Sequence, residues 1–259
     1  MASPQRPERA TAPAGWDTGD WRRRGASFGG GAAAYHAARP AYPDARVDWM
    51  LAPAGKASLE VADVGAGTGV LSRPLAARGH RVVALDPAPA MLAHAGVPAA
   101  VARAERLPLR DHAVDAVTVG QAFHWFDAPR ALAEFRRVLR PGGVLSMCWN
   151  RTDMAVAPWV SALALPASGR EGVTITPVPA ITASGLFGPV EEHEERFVQR
   201  LDVASLLTLV SSQSAYLVGS EESRSAMLEA ARSVHAAHAD VDGVLELPWV
   251  ATGFRTRVA

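Results

Sequence analysis

A single cysteine, Cys148, leaves this chain of 259 residues without an intramolecular disulfide or a cysteine-based zinc cluster. It stands in the apolar run VLSMCW, where a packed thiol is expected rather than a nucleophile. An excess of either charge is also missing: 26 Lys and Arg balance 26 Asp and Glu. Proteins that bind nucleic acid through phosphate contacts carry a basic field, so no nucleic-acid partner is expected. No apolar run approaches the roughly 20 residues that span a bilayer, so no membrane partner is expected either. The first residues hold arginines but no apolar signal core, which predicts a cytoplasmic protein. Lysine is almost absent: Lys56 stands alone among arginines, a bias that suggests a GC-rich bacterial genome. Nothing in the sequence sets an oligomeric state.

What is plentiful is apolar. Hydrophobic residues make up 49% of the chain, enough for a large core in one α/β domain. Residues 1–25 are rich in Pro, Ala, Arg and Gly and lack period, so a disordered tail is expected. Residues 26–150 read as a ligand-binding core with an amino-terminal helical cap. Residues 151–259 read as a lid plus the last strands of the same domain. Short helices are expected in AAAYHAARPAYP, stopped by Pro40, and in DARVDWMLA. The strands LEVADV, RVVALD, AAVARA, AVDAVTVG and VLSMCW then alternate with helical stretches. One of these, PRALAEFRRVLR, carries Leu132, Phe135 and Leu139 at helical spacing and is closed by PGG. Such alternation predicts a mostly parallel sheet covered on both faces. Beyond Asn150 the pattern thins. Arg151 to Pro179 reads as a lid or loose insertion and HEERFVQRL as a strand. VASLLTLVSS and SRSAMLEAARSVHAAH read as helices, and VLELPWVATGFRTRV as a last strand interrupted at Pro248.

The chemistry begins at VADVGAGTGV, Val61 to Val70. A glycine turn between strand and helix lets backbone approach a ligand closely. A dinucleotide fingerprint, G-x-G-x-x-G, needs a third glycine where this chain has Val70; its glycines are Gly65, Gly67 and Gly69. The spacing therefore favours a ligand without a pyrophosphate. Asp86 closes the second strand, where its carboxylate can accept both hydroxyls of a ribose. Turn and acid together fit an adenosine-bearing ligand.

LDPAPAML, ARAERLPL, DAVTVGQAFHWF and EFRRVLRPGG follow in that order. With the glycine turn they resemble class I S-adenosylmethionine-dependent methyltransferases. Within that class they are similar to the small-molecule branch with HWF after the fourth strand, the trans-aconitate methyltransferase-like proteins. The resemblance runs from about Phe28 to the end of the chain and is strongest from Val61 to Gly143. It implies a Rossmann-like, seven-stranded, mostly parallel sheet with the last strand antiparallel, and S-adenosylmethionine as cofactor. It also implies roles: Gly65, Gly67 and Gly69 shape the turn under the methionine part, and Asp63 orients its ammonium. Asp86 holds the ribose hydroxyls, Pro87 and Met91 flank the adenine, and Ala104 and Glu105 meet its edge. Gln121 lies by the methionine moiety. Arg103 departs from the glycine or aspartate the family often has there.

A methyl transfer needs alignment more than a dedicated base, and positioning alone supplies about 7–11 kcal/mol in favourable cases. His124 is the candidate base, since a neutral imidazole can take a proton near pH 7; the alternative is that HWF packs beside the cofactor. Arg39, always charged, suits the carboxylate of the cofactor or an anionic substrate. Tyr35, Trp125, Asn150 and Tyr216 are expected toward a small-molecule acceptor, with SSQSAY forming a roof. Oxygen is the favoured acceptor atom, as a carboxylate or on a specialised metabolite, with N- or C-methylation as alternatives. An NAD-dependent oxidoreductase is the competing class. No metal is expected: the acids of EEHEE alternate faces on a strand, and His235 with His238 lacks a third ligand.

Overall fold

The computed structural model describes residues 39–163, 165, 167–168 and 176–259. The expected tail, the first cap helix and Tyr35 lie outside them. The strands are β1 (Glu60–Val64), β2 (Arg81–Asp86), β3 (Ala99–Val101), β4 (Val114–Gly120), β5 (Leu139–Asp153), β6 (Ala167–Ser168), β7 (Glu191–Leu201) and β8 (Leu245–Arg257). The helices are α1 (Asp44–Leu51), α2 (Ser72–Ala77), α3 (Pro89–Leu92), α4 (Ala128–Val138), α5 (Val178–Ser184), α6 (Val203–Ser211), α7 (Ser214–Val218) and α8 (Glu221–His238).

The sheet runs β3-β2-β1-β4-β5-β8-β7, the seven-stranded path expected. Strands β1 to β5 pair in parallel, and β8 lies antiparallel between β5 and β7. The two-residue β6 adds to β5 at Thr152 and Asp153. Thr152 also pairs with β8, so β6 takes the other flank of β5, beyond the end of β4. Central β1 and β4 are buried almost throughout, as parallel strands covered on both faces must be. Chain order reverses between β1 and β4, and the crevice at their carboxyl ends is where such sheets take ligands.

Two expectations are corrected. β8 passes through Pro248 without a break. Pro248 stands one residue past the last pair with β5, Thr152 with Trp249, where one flank of β8 carries no β5 ladder and a missing N–H is tolerated. α4 ends at Val138; Leu139 turns to extended backbone and pairs with Val114. The helix starts on an Asp127 cap that accepts from Arg130 N–H.

Each face of the sheet has its own core. Val47, Met50 and Leu51 of α1 and Leu75 of α2 pack on Val61, Ala116 and Val144. Cys148 lies in this core, where burial pushes its thiol up to about 12, as expected of a packing thiol. On the other face Leu132 and Phe135 of α4 and Ile181 of α5 cover Val117, Leu145 and Trp149. A third core gathers Leu206, Leu209 and Val210 of α6 with Val234 of α8 and Leu245, Leu247 and Trp249 of β8. It holds the two helices over the far ends of the long strands.

α1 is tethered by a buried arginine. Arg46 Nη2 donates to the carbonyls of Ala251 (2.7 Å) and His193 (2.9 Å) and to His193 Nδ1 (3.0 Å). A Cβ on Gly253 would stand 2.4 Å from Arg46 Nη1, so only glycine leaves the guanidinium room. His193 thus serves packing, stacked on Trp49 at 5.5 Å. His238 stacks on Trp159, while His235 Nε2 donates to the Gly243 carbonyl. Among the described residues no helix is long and apolar enough to cross a membrane.

Candidate active site

The glycine turn is fastened from two sides. Gly65 and Ala66 both donate N–H groups to the Leu85 carbonyl, at 2.7 and 3.2 Å, which ties the turn to the end of β2. Gly65 has φ +69°, and a Cβ there would come within 2.5 Å of Ala122 Cβ. Gly69 has φ +75°, and a Cβ there would stand 2.3 Å from the Ala95 carbonyl oxygen. Both positions therefore require glycine for conformation and for space.

Asp86, at the tip of β2, faces this turn. Its Oδ2 accepts from Gly67 N–H at 3.0 Å and its Oδ1 from Ala88 N–H at 2.8 Å. Burial pushes its pKa up and the two N–H groups pull it down. Each oxygen keeps a lone pair for a ligand hydroxyl. Asp63 is fully buried in β1, where Ser72 Oγ donates at 2.5 Å and Thr118 Oγ1 at 2.9 Å. Burial raises its pKa to about 6 against the pull of the two hydroxyls, and the charge of Asp86 adds to the rise.

Asp63 and the turn border a cavity of about 470 Å³, measured to its open mouth, and Asp86 stands behind it on Gly67 N–H. Asp63 and the turn residues Gly65 to Gly67 form one side, Tyr42 and Leu71 the wall, and Arg39 the rim. Gly120, Gln121 and Asn150 close the opposite side from the ends of β4 and β5. Gln121 holds the left-handed φ of +56°, uncommon for a residue with a side chain. Its N–H donates to the Cys148 carbonyl and its Nε2 to the Asn150 carbonyl, both at 2.9 Å. Such strain collects at functional sites where the surroundings over-determine it. Arg39 Nη2 donates to the Ser212 carbonyl at 3.3 Å, so the expected SSQSAY roof does meet the rim.

Asp86, Gly69 and the remaining predicted residues fall outside this lining. Pro87 is exposed just after Asp86, and the Met91 methyl lies 3.3 Å from where a Gly67 Cβ would be. Ala104 is buried in the α4-side core. Glu105 Oε1 accepts from Asp127 N–H at 2.9 Å, which anchors the loop after HWF. Trp125 is half-buried against that core. The Tyr216 ring carries the Arg224 guanidinium at 5.6 Å. His124 Nδ1 faces the Trp149 indole N–H, the donor, at 3.4 Å. Burial lowers its pKa to about 4, so the imidazole is neutral at physiological pH and its acceptor nitrogen is turned to an indole.

Tyr42 in RPAYP is a wall residue that the sequence pattern does not single out. The structure puts its hydroxyl 2.8 Å from a Cβ built on Gly120. The glycine ending β4 was the available signal, since it makes room for that ring.

A parallel sheet with one antiparallel strand, a glycine turn after β1 and an acid ending β2 define the class I S-adenosylmethionine-dependent methyltransferase fold. Residues 62–147 match the family model of the methyltransferase domain. An uncharacterized methyltransferase of Mycobacterium tuberculosis is 39% identical over 90% of this chain and 96% of its own length. The chain belongs to that methyltransferase family. The structure of a putative type II methyltransferase from Anaeromyxobacter dehalogenans, 28% identical, superposes with a TM-score of 0.61 over 85% of this chain and 97% of that one. A malonyl-[acyl-carrier protein] O-methyltransferase of Pectobacterium atrosepticum is 40% identical over 37% of this chain and 45% of its own length.

Proposed function

We propose that the chain transfers a methyl group from S-adenosylmethionine to an acidic oxygen of a small molecule. The carrying observation is the charge layout of the cavity, with the Asp63 carboxyl inside and the Arg39 guanidinium at the rim. Opposite charges at two sides of a small cavity suit the zwitterionic end of the cofactor. Asp63 takes the ammonium, Arg39 the carboxylate and Asp86 the ribose hydroxyls. When bound, the cofactor supplies a methyl on a sulfonium, activated for in-line displacement.

The chain's part is to bind, align and exclude water, because the one candidate base is badly placed for proton transfer. His124 is neutral but weakly basic, with its acceptor nitrogen turned to Trp149. A protonated alcohol or amine would gain roughly 10²–10⁴-fold from a base. A carboxylate needs none, since it is ionised at pH 7. Trp125, Tyr216 and the roof are the acceptor-side surfaces.

The test incubates the chain with methyl-labelled cofactor and three sets of small molecules: carboxylic acids, phenols and amines. Methyl esters release labelled methanol under mild alkali, whereas ethers and amines keep the label. Alkali-labile label on a carboxylic acid is the expected result. Stable label on an amine or a carbon moves the acceptor atom, and label on RNA or protein alone overturns the small-molecule reading.

A further inference from the structure

Asn150 stands at the cavity with an unanswered acceptor. It lies near the end of β5 and is 1% exposed. Its Nδ2 donates to the Pro40 carbonyl at 3.5 Å. Turning the amide over would set two oxygens against each other, so this contact fixes which end is which. Among the described residues Oδ1 then has no hydrogen-bond partner. Buried acceptors are nearly always satisfied, and at a cavity wall a ligand can bring the donor. Gln121 holds the Asn150 backbone carbonyl, which keeps the residue in place.

We propose that Asn150 Oδ1 receives the α-ammonium of S-adenosylmethionine. The inference rests on the cofactor reading above and moves Asn150 from the acceptor side to the cofactor side. An ammonium has three N–H donors and needs more than one acceptor. Asp63 lines the same cavity; each of its oxygens takes a hydroxyl and keeps one lone pair, which leaves at least one of the three ammonium donors to another acceptor. A neutral carbonyl completes the seat without setting a second negative charge beside an already disfavoured carboxylate. That is the physical reason for asparagine rather than aspartate at this position.

The test is calorimetric titration with two probes, S-adenosylhomocysteine and its analogue with hydrogen in place of the α-amino group. Wild type and Asn150→Leu are compared, with melting curves of both. A hydrogen bond to a charged group is worth roughly ten- to hundredfold in affinity. Asn150→Leu is expected to lose that factor for S-adenosylhomocysteine and to bind the deaminated analogue within about threefold of wild type. Should Asn150→Leu fail to fold, Asn150→Thr, which keeps a hydroxyl acceptor, is expected to show a smaller loss, again for the amino-bearing probe alone. Equal losses for both probes, or none, overturn the proposal while leaving the cofactor assignment standing. A wild-type chain that binds neither probe overturns both.

Discussion

From Glu60 to Asn150 the chain is built of parallel strand–helix units, and beyond Asn150 of a long antiparallel pair that reaches back to them. Arg81 at the start of β2 reaches Glu60 at the start of β1 across 21 residues. Ser146 in β5 reaches the Phe254 carbonyl in β8 across 108. The first region is a series of strand–helix units, with β2 and β3 added on one side of β1 and β4 and β5 on the other. The second is a long antiparallel pairing, β7 with β8, with a core of its own at the far ends of the strands. The cavity joins them: its turn and Asp63 come from the first region, and its rim leans on Ser212 of the second. Matching to the methyltransferase domain covers residues 62–147, within the first region. On the function proposed above, the local units hold the cofactor and the distant ones face the acceptor.

The largest effect that tests this division is on Asp86. Asp86→Ala removes a carboxylate that faces the turn and accepts Gly67 and Ala88 N–H groups. Two charged hydrogen bonds to ribose hydroxyls are worth about 3 kcal/mol or more together, so S-adenosylhomocysteine should bind at least roughly a hundredfold more weakly. Calorimetry checks this. Tyr216→Ala, in the distant region, should leave that affinity within about threefold. A hundredfold loss from Tyr216→Ala would erase the division.

Next in size is a core deletion in the second region. Leu209 is fully buried between α6 and its neighbours. Leu209→Ala should cost about 2–5 kcal/mol, read from denaturant unfolding. The loss should appear in one transition. β5 and β8 are paired from Val144 to Thr152 and from Trp249 to Arg257, and these strands carry side chains of all three cores. Two separate transitions would show that the regions fold independently and that the sheet does not couple them.

The same contrast explains what the sequence made legible. Val61 to Gly143 could be read because strand, turn and helix signals lie within one unit, and Gly65, Gly67 and Asp86 meet where their spacing implies. Asp63 and Arg39 were legible by type and position. Tyr42 and the orphaned Asn150 oxygen were not, since each depends on a partner across the fold: Gly120 for one, Pro40 for the other. Arg46, among the largest buried side chains, looked like any helix arginine; its acceptors are His193 and Ala251, distant in the chain. Pro248 read as a breaker because the end of the β5 ladder has no local signature.

Asp63 sharpens the comparison through pH. Its folded pKa is about 6, raised by burial, and a bound ammonium favours the ionised form and lowers it. The affinity for S-adenosylhomocysteine should therefore be flat above pH 6. It should fall as pH drops below 6, by up to about tenfold per unit, because the free protein must shed a proton to bind. Asp63→Asn should bind weakly at every pH and show no such slope. A slope unchanged in that variant would assign the titration to another group.

The smallest effect belongs to His124. Its folded pKa of about 4 lies below the ordinary 6.5, so the unfolded chain binds its proton more readily. Stability contributed by the neutral imidazole is complete above 6.5 and is lost as pH falls from 6.5 toward 4. Asp63 acts in the opposite sense over part of this window, being raised from 3.8 to about 6, so the informative quantity is the difference between variant and wild type. His124→Gln should lose less melting temperature between pH 6.5 and 5 than wild type does. It should bind S-adenosylhomocysteine within about threefold of wild type. With a carboxylate acceptor its turnover should stay within about tenfold, below the 10²–10⁴ that removing a general base costs. A hundredfold fall in turnover at unchanged cofactor affinity would restore His124 as the base, and would mean that its Nδ1 leaves Trp149 when the acceptor enters.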